Sequence, residues 1–419
     1  LKLSSKSWKI LGVLLIAPVV VIVIALDFNR SLNNAKERVS PVLEDENKTI
    51  QFERIVIDST FTGGYQVKSA DLNGDDLPDL IAVSTSMQEI YWYENPSWQK
   101  HLVYEDTRAN IDLAPNDIDN DGDIDLALAS QFSLGNSISG GHVSWLENID
   151  LGASWKLHFI DSIPTSHRLR WADLDGDSRA DLINLPIIGR GASKPTYQAG
   201  VEFCYYTIPR NPGTESWPKV AINHELEMAH GLQLVKWGDE KSWSILTASF
   251  GGVDLFQPQG NGEKWEMTKL GSGDIHPRPK QGSSEVGLGR LDRGKPPFIA
   301  TIEPWHGNQV VFYSPGEEGE LWKREVIDTT FVDGHALLCA DLNGNGTDEI
   351  IAGYRGGGHN LYIYQWIAAA NQWQRHDLDP GGMSAAGLCL LDFNADGFID
   401  IAACGSATHN VMLYENLGN

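Results

Sequence analysis

Residues 71–79 read DLNGDDLPD, and the pattern returns as DIDNDGDID at 117–125, DLDGDSRAD at 173–181, DLNGNGTDE at 341–349 and DFNADGFID at 392–400. Each copy puts oxygen-bearing side chains at its first, third, fifth and ninth positions. These are Asp71, Asn73, Asp75 and Asp79; Asp117, Asp119, Asp121 and Asp125; Asp173, Asp175, Asp177 and Asp181; Asp341, Asn343, Asn345 and Glu349; and Asp392, Asn394, Asp396 and Asp400. A hard cation such as Ca²⁺ takes about six to eight oxygen ligands, and a tight loop of alternating Asp and Asn can wrap one. The spacing therefore predicts up to five structural Ca²⁺ ions. Solvated acidic turns would not hold one spacing through five copies. An EF-hand is excluded, because the bidentate Glu at loop position twelve is missing and the flanks alternate like strands, as in Leu80-Ile81-Ala82-Val83.

The distances between copies count the units. Loop starts lie 46, 56, 168 and 51 residues apart. The long gap is three times 56, so it hides two degenerate units, VKWGDEKSWSILTAS (235–249) and GRLDRGKPPFIATIE (289–303), which keep strand–turn–strand character without the carboxylates. Seven units of four strands predict an all-β, seven-bladed propeller over 50–419 with the metal loops on its A–B hairpins. An aromatic opens each outer strand: Trp98, Trp155, Trp217, Trp265, Trp322 and Trp373, with Phe52 as a seventh copy ahead of the first loop. The last unit ends at VMLYENLGN without an outer strand, so strand 51–57 is expected to complete it and close the ring.

Composition narrows the function. The chain is 42% hydrophobic with a formal net charge of −24, so it can bury a large core and has no electrostatic footprint for nucleic acid. Four cysteines make no CxxC pair and no disulfide scaffold; Cys389 and Cys404 flank one hairpin and read as buried thiols or as a pair. Residues 10–26, ILGVLLIAPVVVIVIAL, form an uncharged apolar run behind Lys2, Lys6 and Lys9. We read 1–9 as a cytoplasmic basic end, 10–26 as a transmembrane signal anchor rather than a cleaved signal, and 27–49 as a polar tether. That places the propeller in the periplasm or outside the cell, with the membrane touched through this helix only.

Hairpin order puts the metal loops on one face and the B–C loops on the other. His101, His158 and His376 repeat on outer strands and read as structural. Tyr65, His167, His230 and His335 stand at the mouths of inner strands; His142, His306, His359 and His409 sit on B–C loops, and His276 precedes blade 5. Eight of the twelve histidines are thus expected around one axial pocket, joined by Arg168, Arg170, Arg278, Glu303, Trp305 and Arg355. The candidate catalytic residues are His167, His230, His335, Glu303, His306 and Arg355. His167 is the first choice of base, with Arg168 expected on the opposite side of its strand and Trp305 as a sugar-stacking face. HELEMAH (224–230) spaces its histidines wrongly for a zinc helix, and GRLDRGKP (289–296) lacks the Ser/Thr of a phosphate loop.

The D-x-[DN]-x-D-G-x-x-D hairpins resemble the FG-GAP/VCBS repeat superfamily, calcium-loop propellers also found in integrin α heads. A narrower resemblance lies in GSSEVGLGRLDRGKPPFIATIEPWHGNQVVFYSPGE (282–317), SHRLRWADLDGD (166–177) and DGHALLCADLNGNG (333–346), which look like the propeller domain of aldos-2-ulose dehydratase (1,5-anhydro-D-fructose dehydratase). In that family the propeller precedes cupin domains and water is removed from a keto-sugar; ulvan lyases are a more distant likeness. The resemblance implies a carbohydrate-active lyase with a sugar or polysaccharide ligand. The alternative is a non-catalytic propeller that binds carbohydrate or protein.

Overall fold

The structure, a computed structural model, describes residues 50–238, 242–317 and 319–418. The anchor and tether readings fall outside the described residues, and no helix among those residues is long and apolar enough to cross a membrane.

The described residues form seven four-stranded antiparallel sheets. Blades 1 to 6 occupy 64–104, 112–162, 166–223, 231–271, 285–328 and 334–380 in chain order, and blade 7 is 385–416 completed by Phe52–Asp58. Phe52 pairs with Asn416 and Arg54 with Tyr414, so the expected closure is present. Both degenerate units are full blades: Gly231–Val235 pairs Ser244–Ser249, and Glu285–Gly289 pairs Phe298–Glu303. The second strand of every blade is buried at all six positions, as in DLIAVS, SILTAS and DIAACG. A strand with both faces covered by neighbouring sheets reads as a continuous run of small and β-branched apolar residues, which is what these sequences are.

Polar devices join the blades. The ninth residue of each acidic loop starts a second strand and caps its own hairpin. Asp79 accepts from the Leu72 and Asn95 amides at 3.0 and 2.9 Å, and Asp400 from Phe393 and Asn416 at 2.9 and 2.7 Å. An Asn of the same blade then crosses to the loop of the preceding blade: Asn95 donates to Phe393 O, Asn148 to Leu72 O and Asn416 to Leu342 O, at 2.7–3.0 Å. At the outer edge a carboxylate latches neighbouring blades. Asp328 of blade 5 accepts from Tyr364 and Arg375 of blade 6, both at 2.8 Å. Asp58, Asp161 and Asp379 each take a Tyr and a Lys or Arg in the same way. Tyr364→Phe removes one hydrogen bond to a charged group, so it is expected to cost about 1.5–3 kcal/mol in denaturant unfolding. A cost below about 0.5 kcal/mol would make the latch ornamental.

All four cysteines are free thiols. Cys389 lies 3.3 Å from Ser69 Oγ rather than against Cys404.

Candidate functional site

The mouths of the inner strands share a backbone device. A residue in the left-handed region stands two positions before each inward side chain: Gly63 (φ 64°) before Tyr65, Thr165 (61°) before His167, Met228 (50°) before His230 and Asp333 (59°) before His335. In blades 1, 3 and 6 the register also slips at the mouth residue itself, between Gly64 and Gln66, Ser166 and Arg168, and Gly334 and Ala336. A bulge re-aims its side chain; here it turns Tyr65, His167 and His335 inward.

The result is a buried polar cluster. Tyr65 OH lies 2.8 Å from His167 Nε2 and 3.1 Å from His335 Nε2. His230 Nε2 is 3.1 Å from His306 Nε2, and the His167 and His230 rings are 4.6 Å apart. His306 comes from the loop after Glu303, itself in the left-handed region (φ 45°), with Trp305 stacked on its ring at 4.3 Å. Strain of this kind collects at functional sites.

The Nδ1 atoms of three imidazoles are taken. His335 Nδ1 faces Ala386 O at 2.7 Å. His230 Nδ1 faces Glu285 Oε1 at 2.8 Å and Ser284 O at 3.0 Å. His306 Nδ1 faces Asp333 Oδ1 at 3.2 Å, beside Arg355 Nη2 at 3.0 Å. With the protons of His230 and His335 on Nδ1, their Nε2 atoms carry lone pairs, His335 Nε2 meeting the Tyr65 hydroxyl and His230 Nε2 meeting His306 Nε2. Each of His230, His306 and His335 can offer one ligand nitrogen, all within 4.8 Å of one another. Outer oxygen partners that fix ring and tautomer are the usual company of metal-bound histidine, and three imidazoles are a known zinc donor set. The residues present therefore fit a nitrogen-preferring divalent ion.

Electrostatics agree with neutral rings. Burial, then the Arg168 charge, holds His167 well below the usual imidazole range. Burial and Arg355 do the same for His335, and burial takes His306 down to about 3. Burial would raise Asp333, but the His306 hydrogen bond and the Arg355 charge bring it to about 2. A general base works best near the operating pH, so His167 is poorly placed as the base near neutrality.

Several expectations need correction. Arg168 is not turned away from His167. The bulge brings it into the axis, 2% exposed, with Nη2 on Glu285 Oε1 at 2.7 Å and its guanidinium over the Tyr65 ring. Glu303 does not join the imidazoles; it is buried inside blade 5 among Ser283, Thr301, Tyr313 and Arg324, at 2.7–2.8 Å. Trp305 stacks one ring face on His306 and makes a T-shaped contact with Phe250. Of the eight histidines expected together, four converge: His167, His230, His306 and His335. His142 packs on Phe159, His359 faces Gly356 O, His409 faces Gly63 N, and His276 pairs with Asp274. His101 and His158 stack on Trp92 and Trp145 of their own blades, as structural residues should.

The sequence reading missed Glu285, the hub between His230 and Arg168. It lies in GSSEV, at the mouth of a degenerate blade where no acidic loop sets the register. Farther along the axis, Arg170 Nη1 is 2.9 Å from the buried Asp112 and Lys68 Nζ 3.9 Å from it. Burial and the Arg170 charge lower Lys68 to about 8.

The acidic loops crowd carboxylates as expected. Asp117, Asp119 and Asp125, and likewise Asp173, Asp175 and Asp181, could hold an ion. Asp117 Oδ1 and Asp341 Oδ1 are buried without a partner. These oxygens fit a hard cation.

Fold and site together define a seven-bladed propeller with an imidazole-rich axial cluster. Residues 71–128 match the family described as FG-GAP-like repeat, and 140–316 match the family described as aldos-2-ulose dehydratase, beta-propeller domain. The chain is 27% identical over 319 residues to aldos-2-ulose dehydratase of Phanerodontia chrysosporium; the match covers 68% of this chain and 34% of that protein, about a third of its length. Among solved structures, BBS1N in complex with ARL6DN aligns with a TM-score of 0.52 at 12% identity, over 88% of this chain and 96% of that one, a likeness of fold alone.

Proposed function

We propose that this chain is a carbon–oxygen lyase that removes water from a keto-sugar such as 1,5-anhydrofructose, at the axial cluster on the face opposite the acidic loops. The observation that carries this reading is the convergence of three buried imidazoles, each able to offer one nitrogen within 4.8 Å of the others and each with Nδ1 against a polar partner. His230, His306 and His335 would hold a zinc-like ion, which when bound supplies a Lewis acid for a sugar carbonyl. Arg355, clamped by Asp333, provides a cation for the oxygen that gains charge as the enolate forms. The Tyr65 hydroxyl can donate to His167 Nε2 and hold that ring beside the cluster. Glu285 and Arg168 fix the His230 ring. Similarity to aldos-2-ulose dehydratase supports this substrate class.

The five acidic loops are proposed to carry structural Ca²⁺, and residues 10–26 to anchor the propeller outside the cytoplasm. The test is turnover. The wild-type chain, supplied with zinc and calcium, is expected to convert 1,5-anhydrofructose with rising enone absorbance. Sugar binding without turnover on any keto-sugar or uronate polysaccharide would give way to the binding-module reading.

A further inference from the structure

We propose that His276, oriented by Asp274, is the proton-transfer residue of this cleft. The proposal rests on the lyase reading and adds to it a catalytic group from outside the imidazole cluster. Segment 272–283 joins blade 4 to blade 5 and is pinned where Asp274 and Gly282 exchange backbone hydrogen bonds, at 3.2 and 2.8 Å. Asp274 is buried at 6% exposure, and both its oxygens are engaged. Oδ1 takes His276 Nδ1 and the His276 amide, the latter at 2.9 Å. Oδ2 takes Gln309 Nε2 at 3.0 Å and faces Arg324 at 3.9 Å. The His276 ring is therefore fixed by Nδ1, while its side chain stays 70% exposed with Nε2 open.

His276, Asp274 and Lys280 line one cleft of about 360 Å³ with His306 and Asp333. A sugar in that cleft would lie between His276 and His306, the one ligand candidate that lines it. Those imidazoles suit ligation rather than proton transfer, since they are buried and tied through Nδ1. An imidazole held by a carboxylate on one nitrogen and open on the other is built for acid–base work.

The step balances without a further reactant. His276 Nε2 takes the proton from the carbon beside the keto group, and the C–H electron pair becomes the C=C bond. The C–O bond to the β-hydroxyl breaks with its electrons. The hydroxyl takes the proton back from His276 and leaves as water.

The test uses the full chain with 1,5-anhydrofructose, followed by enone absorbance. His276→Ala is expected to lower kcat about 10²- to 10⁴-fold with KM little changed, and free imidazole, which the open cleft admits, should restore part of the rate. Wild-type kcat in His276→Ala would overturn the proposal and leave the lyase reading standing. A loss confined to KM, or one that imidazole does not relieve, would overturn it too. A wild-type chain inert on keto-sugars would remove both.

Discussion

Stripped of calcium by EGTA near neutral pH, the protein is expected to melt about 15 °C lower than in excess calcium. The size follows from linkage. An ion at about 100 times its Kd adds roughly 2.7 kcal/mol per site, and a propeller of this length unfolds with an entropy of about 2.1 cal/mol/K per residue, so five sites amount to that shift. The crowding that calcium would relieve is visible in the ninth-position acids. Burial, with the neighbouring loop carboxylates, raises Asp79 and Asp400 to about 6, Asp125 and Asp181 to about 7 and Glu349 to about 8. An acid whose folded pKa lies above its unfolded value binds extra protons when folded. Its contribution is present at low pH and is lost as pH rises through the folded value. In EGTA the melting temperature should therefore fall as pH rises from about 4 to 8, whereas calcium should flatten or reverse that slope. The loop at 341–349, with Asn343 and Asn345, should lose its ion first. Equal melting with and without EGTA would end the structural role of calcium.

His306→Ala is expected to reduce keto-sugar turnover by about 10³-fold or more, since a metal's charge stabilisation is worth several kcal/mol and each 1.36 kcal/mol is tenfold. His306 is the one of the three ligand candidates that is not fully buried, with 16% of its side chain exposed. It sits on a loop, so its loss should move the melting temperature only a few degrees. Elemental analysis should find about one zinc per wild-type chain and clearly less in the variant. Undiminished zinc, or unchanged turnover, would separate the imidazoles from the chemistry.

Sequence carried the fold well because the fold is a repeat. Five acidic loops and the outer-strand aromatics fixed blade count, the degenerate blades at 235–249 and 289–303, and the closing strand. The mouth residues Tyr65, His167 and His335 were legible for the same reason, each standing six residues before its acidic loop, and His230 by its like place ahead of the degenerate unit at 235–249. Strand alternation failed where the chain bulges: it put Arg168 on the wrong side of His167, because one inserted residue reverses the parity of a strand. Glu303 misled because a strand end can point along its own blade as readily as into the axis. The Asp–Tyr–cation latches left a trace in VIDSTF (56–61) and VIDTTF (326–331), whose Asp and Thr meet in a tight turn. Its partner Tyr lies more than thirty residues away, beyond any local pattern.

The closing strand also has a consequence for how the protein is made. Phe52–Asp58 is among the first propeller residues to leave the ribosome, yet its partner, Val411–Asn416, is among the last. At roughly 5–20 residues per second, the early strand must wait on the order of tens of seconds with an unpaired edge. Such an edge invites pairing with a neighbouring nascent chain. The strand reads FERIVID, and Glu53, Arg54 and Asp58 along it would discourage premature partners. Whatever delays the last blade during synthesis lengthens that exposure, so slow codons within the propeller just ahead of Val411 should cost more soluble protein than the same codons placed ahead of Phe52.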